Sequence, residues 1–209
     1  NGWAPHEKGR IMKLDAPGAM DHPLRKQTRK LLANGFDQRG IPELISLLAH
    51  ADQRVRLEAQ FELVKRNASK ALLTVAIEND SQLARIHAIW GIGQLGRKDQ
   101  AAIIPLRSLL NDRDPEIQAQ FLRVISDAYH NDFAEEASDL LRSPHPRVQL
   151  FAGLALGKIG SEKNVPAITD FLEVNNNEDV FLRHAGVVAL ARAAEESPRS
   201  VLLLTGHRS

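Results

Sequence analysis

The chain has 209 residues, 27 of them basic and 26 acidic, and 43% hydrophobic and 25% charged content. That much apolar sequence excludes disorder as the starting assumption, and a formal net charge of +1 excludes a global field for nucleic acid or anionic lipid. Cysteine is absent, so there is no disulfide, thiolate nucleophile, Cys-ligated zinc or covalently attached c-type haem.

Residues 1–20 read as an extended N-terminal segment. They lack the apolar stretch a signal peptide needs, and Ile11 to Leu14 is predicted as one short strand with no partner. No run of about 18 apolar residues occurs anywhere in the chain. From residue 21 the pattern is helical. Pro23 to Leu32 predicts a first helix, expected to cover the N-terminal end of a series of helical hairpins.

The hairpins form a repeat. Val55-Arg56, Ala84-Arg85, Ile117-Gln118, Val148-Gln149 and Leu182-Arg183 each open a similar segment, at intervals of 29, 33, 31 and 34 residues. Four residues on stand Ala59, Ala88, Phe121, Ala152 and Gly186, and eight on stand Leu63, Ile92, Ile125, Leu156 and Leu190. A spacing of zero, four and eight marks one face of an α-helix. Shorter amphipathic helices precede each segment, over 41–48, 68–77, 101–110, 133–141 and 165–172. Asp52, Asp80, Asp114 and Asp179 lie where a carboxylate can cap the second helix, and His145 with Pro146 takes that place in the fourth unit.

Each hairpin alone can bury one face only, so neighbours must stack. The expected fold is all-α over residues 21–209, a HEAT-like α-solenoid of about five helical hairpins. Beyond Ser197-Pro198 a sixth unit is expected to begin, with Val201 to Leu204 as its first apolar residues.

Several motifs invite chemical readings. Gly91-Ile-Gly-Gln-Leu-Gly96 matches GxGxxG, but a dinucleotide loop needs a strand before it and a helix starting on it, whereas these residues fall inside a repeat helix. Gly96 and Gly160, each twelve after a repeat start, read as helix C-terminal caps. Gly153 to Lys158 lacks a P-loop spacer and its Ser or Thr. The eight histidines include no HxxxH or HExxH pair, so no metal site is assigned. No Ser-His-Asp set can be nominated, and no catalytic residue is assigned. Arg56, Arg85 and Arg183 recur at one repeat position, where a forked donor can meet helix ends and capping aspartates of adjacent units. His87 and His184 lie beside them and suit hydrogen-bonded packing.

The segments Asp52 to Leu63, Leu83 to Leu95 and Leu182 to Gly186 resemble the HEAT segment of the PVC-type haem-binding family. Those bacterial exported proteins join a sugar-dehydrogenase-like β-propeller, HEAT repeats and a c-type cytochrome domain. His6 to Leu14 is similar to the family's last propeller strand, with Met12 departing from its usual Gly-Arg-Ile-Tyr run. The resemblance implies a periplasmic or otherwise exported parent with dehydrogenase activity. Its quinone-type cofactor and haem would lie on parts that these 209 residues do not contain, so no cofactor is expected in this segment.

The function expected is a non-catalytic scaffold or protein-interaction module whose partner is a protein or a neighbouring domain, neither nucleic acid nor a membrane. A lyase of the phycobilin-lyase class, which also uses HEAT-like repeats, is the alternative. Six residues after each repeat start stand Phe61, Trp90, Arg123, Leu154 and Val188, opposite the zero-four-eight stripe. This column is either buried between repeats or forms a partner groove. In the second case Phe61 and Trp90 would anchor the partner, with Arg56, Arg85, His87, Arg183 and His184 along the rim.

Overall fold

A computed structural model of the chain describes Ala16, Gly18 and residues 21–199. The strand expected at Ile11 to Leu14, the propeller-like residues from His6, and the apolar run at Val201 to Leu204 lie outside the described residues. Contacts divide the chain into two units, Asn1–Gly35 and Phe36–Ser209.

The first unit carries helix α1, Pro23–Asn34. The ring Nδ1 of His22 accepts the Leu24 N–H at 3.3 Å, and Pro23 takes the first helical position, where no N–H is needed. Gly35, with φ of 71°, ends the helix in a conformation that a side chain resists.

In the second unit five hairpins succeed one another among the described residues. They are α2 (Ile41–Leu47) with α3 (Gln53–Lys65); α4 (Ser69–Glu78) with α5 (Gln82–Gly96); a 3-10 helix, Ile104–Asn111, with α6 (Pro115–Asp127); α7 (Ala134–Asp139) with α8 (Pro146–Ile159); and α9 (Val165–Asn175) with α10 (Val180–Glu196). The second helices pack in series, α3 on α5, α5 on α6, α6 on α8 and α8 on α10. This is a HEAT-like α-solenoid.

The zero-four-eight stripe forms the core. Val55, Ala59, Leu63, Ala84, Ala88, Ile92, Ile117, Phe121, Ile125, Val148, Ala152 and Leu156 are all buried, as are Leu182 and Gly186 on α10, where Leu190 is only half-buried. Capping follows the expected aspartates with two departures, one at Asp80 and one at His145, which holds the N-cap position of α8 without a side-chain capping hydrogen bond. Asp52, Asp114 and Asp179 accept backbone N–H groups of α3, α6 and α10 at 2.7–3.1 Å. In the second hairpin the cap is Ser81, whose hydroxyl accepts the Ala84 N–H, rather than Asp80. Ser81 lies three residues before the repeat start, as the aspartates do.

Two further expectations change. Residues 101–110 form 3-10 turns, Gln100–Ala102 and Ile104–Asn111, instead of one α-helix. Pro105 has no N–H to return to the carbonyl four residues back. Gly96 is the last residue of α5 rather than a cap, and a Cβ there would stand 2.4 Å from Ile103 Cδ1, so glycine is needed for close approach. Gly160 does cap α8, but with φ of −71°. The left-handed residues that close α3 and α6 are Asn67 and Tyr129. Beyond them the Ala68 and His130 N–H groups return to the Leu63 and Ile125 carbonyls, the Schellman pattern.

Candidate functional site

Second helices α3, α5 and α6 frame a groove of about 210 Å³, and the repeat offset explains its lining. Phe61 and Trp90 hold one repeat position on successive helices, with Arg123 at the same position on the third; Leu57, Arg97, Val124 and Asp127 are among the other wall residues. Phe61 is 46% exposed. Trp90 is half-buried and is held from below, where its indole N–H donates to Gln120 Oε1 at 2.8 Å. Gln120 in turn donates to Glu116 at 2.7 Å, and Glu116 is gripped by Arg147 of the following hairpin. Leu154 and Val188 continue the same column, half-buried, on α8 and α10.

Beneath Trp90 lies a buried polar cluster. The His87 ring meets the indole edge-on with centroids 5.0 Å apart. Arg56 Nε donates to His87 Nε2 at 3.0 Å, so Nδ1 carries the imidazole proton and donates to Gln60 Oε1 at 2.8 Å. Arg56 also donates to the His50 and Ala51 carbonyls just beyond α2. Arg85 repeats the theme one hairpin on, donating to the Ala76 carbonyl at 2.9 Å and pairing with Asp112. Gln118 takes the third place in the column, donating to the Asp112 carbonyl at 2.6 Å.

The structure thus brings Phe61, Trp90 and Arg123 to one groove, and places Arg56, Arg85 and His87 beneath the surface as the ladder between hairpins. Arg183 and His184 are exposed on α10, away from that groove. Beside them Phe181 is 69% and Val187 53% exposed. Val187 stands at the repeat position where Gln60, Ile89, Leu122 and Gly153 are buried on the other second helices. Gln60 and Gln120 were not singled out from sequence, although a glutamine within an otherwise apolar helix face is a readable signal. A larger open cleft of about 660 Å³, between α2 and α4 and lined by Ile41, Ile45, Ala71 and Val75, holds none of the residues singled out. Among the described residues no group of three or more His, Asp or Glu is placed to hold a metal ion. No helix among them is long and apolar enough to cross a membrane.

Burial, with the nearby Arg56 cation, pushes the His87 imidazole down to about 4. The unfolded chain takes up this proton near pH 6.5 and the folded chain only near 4. Stability from the neutral ring is therefore complete above 6.5 and is lost as pH falls through that window. Unfolding free energy should drop by about 2 kcal/mol from pH 7 to pH 5 on this account. Asp52, held at about 2 by Arg54, titrates below that range. Denaturant titrations at the two pH values should show the drop in the parent chain and a much smaller one in His87→Gln. Equal slopes in both proteins would remove His87 as the cause.

Comparison with family models matches HEAT repeats over residues 103–191. Comparison with curated proteins yields no match. Among solved structures, an engineered protein superposes with a TM-score of 0.52 at 17% identity, covering 83% of this chain and 92% of that one. A designed armadillo repeat protein gives 0.54 at 15% identity, covering 79% and 87%. A second engineered protein gives 0.56 at 20% identity, covering 89% of this chain and 58% of its own length. At such identities the likeness is one of fold, and it agrees with the stacked hairpins described above.

Proposed function

We propose that this segment is a protein-interaction module that acts by binding rather than catalysis, with the Phe61–Trp90–Arg123 groove as its docking surface. The observation that carries this reading is an aromatic pair left part-exposed on consecutive repeats, its indole fixed from beneath by a hydrogen bond to Gln120. An indole held rigid before binding loses little conformational freedom on contact, which is the property of an interface anchor. A tetrapyrrole lyase finds no support in the groove, whose volume falls below the roughly 300 Å³ at which ligand pockets begin.

In the fuller form of the proposal, the resemblance to the PVC-type haem-binding family makes this solenoid the spacer between a propeller and a cytochrome domain of an exported bacterial protein. Arg183, His184, Phe181 and Val187 on α10 then serve as a second contact area. The test begins with the coding sequence on either side of these residues, followed by calorimetric binding of the flanking domains. Phe61→Ala should weaken association at least tenfold while costing under about 1 kcal/mol of stability, since nearly half of that side chain is already in water. Binding unchanged by Phe61→Ala removes the groove from the interface. Flanks without propeller repeats and a Cys-x-x-Cys-His motif remove the spacer reading.

A further inference from the structure

We infer that the groove selects an acidic partner segment, one that seats a single aromatic or large aliphatic side chain against Trp90 and Phe61 and sets carboxylates over Arg97 and Arg123. This rests on the docking role proposed above and specifies the chemistry of its occupant.

Size comes first. A volume of about 210 Å³ suits one large side chain, and the apolar part of the wall comes from Leu57, Phe61, Trp90 and Val124. Charge then decides among the segments that could deliver such a side chain. Arg97, the residue that caps α5, lines the groove, is exposed, and has no side-chain partner among the described residues. Arg123 hangs over the indole, its Cζ 5.8 Å from the ring centroid. Its carboxylate neighbour, Asp127, is shared between two cations, with one oxygen 3.8 Å from Arg123 Nε and the other 2.8 Å from Lys158 Nζ of the following hairpin. Asp127 is the one acid in the lining and is shared by Arg123 and Lys158, so with Arg97 the groove carries more positive than negative charge.

The chain as a whole is nearly neutral, so this excess is local to one surface. Guanidinium forks match carboxylates in geometry, and a site with two of them disfavours a basic segment by like-charge repulsion. Arg123 can keep its place over Trp90 while donating its outer N–H groups to an incoming carboxylate.

The experiment uses the full 209-residue chain with Trp3→Phe, which leaves Trp90 as the one indole of the two in the sequence. Its emission is followed while three blocked pentapeptides are titrated, alike in a central phenylalanine and flanked by glutamates, glutamines or lysines. The glutamate peptide should perturb the emission and bind about three- to tenfold more tightly than the glutamine peptide at low salt, as two solvent-exposed ion pairs allow. The lysine peptide should bind more weakly than both. At about 0.5 M salt the glutamate advantage should fall below about twofold. Arg97→Gln with Arg123→Gln should reduce the glutamate peptide to the glutamine level with the helical circular dichroism unchanged. Glutamine or lysine peptides that bind as tightly as the glutamate peptide overturn the acidic preference but leave the groove as a docking surface. No response of Trp90 to any of the three overturns both.

Discussion

Phe121→Ala should lower the unfolding free energy by about 3–5 kcal/mol, the range for emptying a fully buried aromatic site. Phe121 lies on α6 at the middle of the stack with no exposed surface, and its ring meets Phe133 edge-to-face at a centroid distance of 5.6 Å. Phe133 is itself covered by Arg107 at 4.3 Å and by His130 at 4.8 Å, so the space cannot close by moving one side chain. In a linear array each hairpin is supported by its neighbours only, and weakening the centre uncouples the two halves. Urea unfolding followed by circular dichroism should therefore show both a lower midpoint and a broader transition. A loss under about 1.5 kcal/mol with an unchanged slope would mean that the site collapses around the alanine.

The second large effect belongs to Arg85→Met, expected to cost about 3–5 kcal/mol. The side chains of Arg85 and Asp112 are 10% and 13% exposed, and the pair is bidentate, with Nη1 and Nη2 reaching the two carboxylate oxygens at 3.3 and 2.5 Å. Burial alone would raise the Asp112 carboxyl, but the Arg85 hydrogen bonds and the Asp114 N–H outweigh it and hold the group below its ordinary value. Methionine fills similar space yet leaves a charge without its counterion. Adding Asp112→Asn to Arg85→Met should recover at least about 1 kcal/mol, since a neutral amide is far less costly to leave there. Equal stability of the single and double variants would show that Asp112 regains water when Arg85 is lost. The contribution of the pair is present above the carboxyl's unfolded value near 3.8 and disappears as pH falls through its lower folded value.

Part of the candidate site could be read without coordinates. The periodic positions place Phe61, Trp90 and Arg123 in one column because 100° per residue holds for any α-helix. Whether that column is covered depends on how closely α3, α5 and α6 approach, and helical angle says nothing about approach. Gly93 shows the difference. A Cβ there would stand 3.0 Å from both methyl groups of Val124, so α6 comes close beside Trp90 and sets the depth of the groove. The role of Gln120 under the indole could not be read from spacing, since the partner lies 30 residues away on another helix.

What the sequence by itself determined is the local grammar of the chain: five amphipathic pairs, their buried stripe, and the Asp caps at the start of α3, α6 and α10. Each of these depends on residues within about two turns of helix, so neighbouring residues suffice to specify them. Only the tertiary structure decided the fate of residues that share a repeat position. Arg56 is buried because His87 of the next hairpin and the end of α2 receive it, and Arg85 because Asp112 does. Arg183, at the same position on α10, stays exposed, and no hairpin comes after it among the described residues. A guanidinium enters a core only where another part of the chain supplies acceptors, and that supply is set by stacking rather than by period.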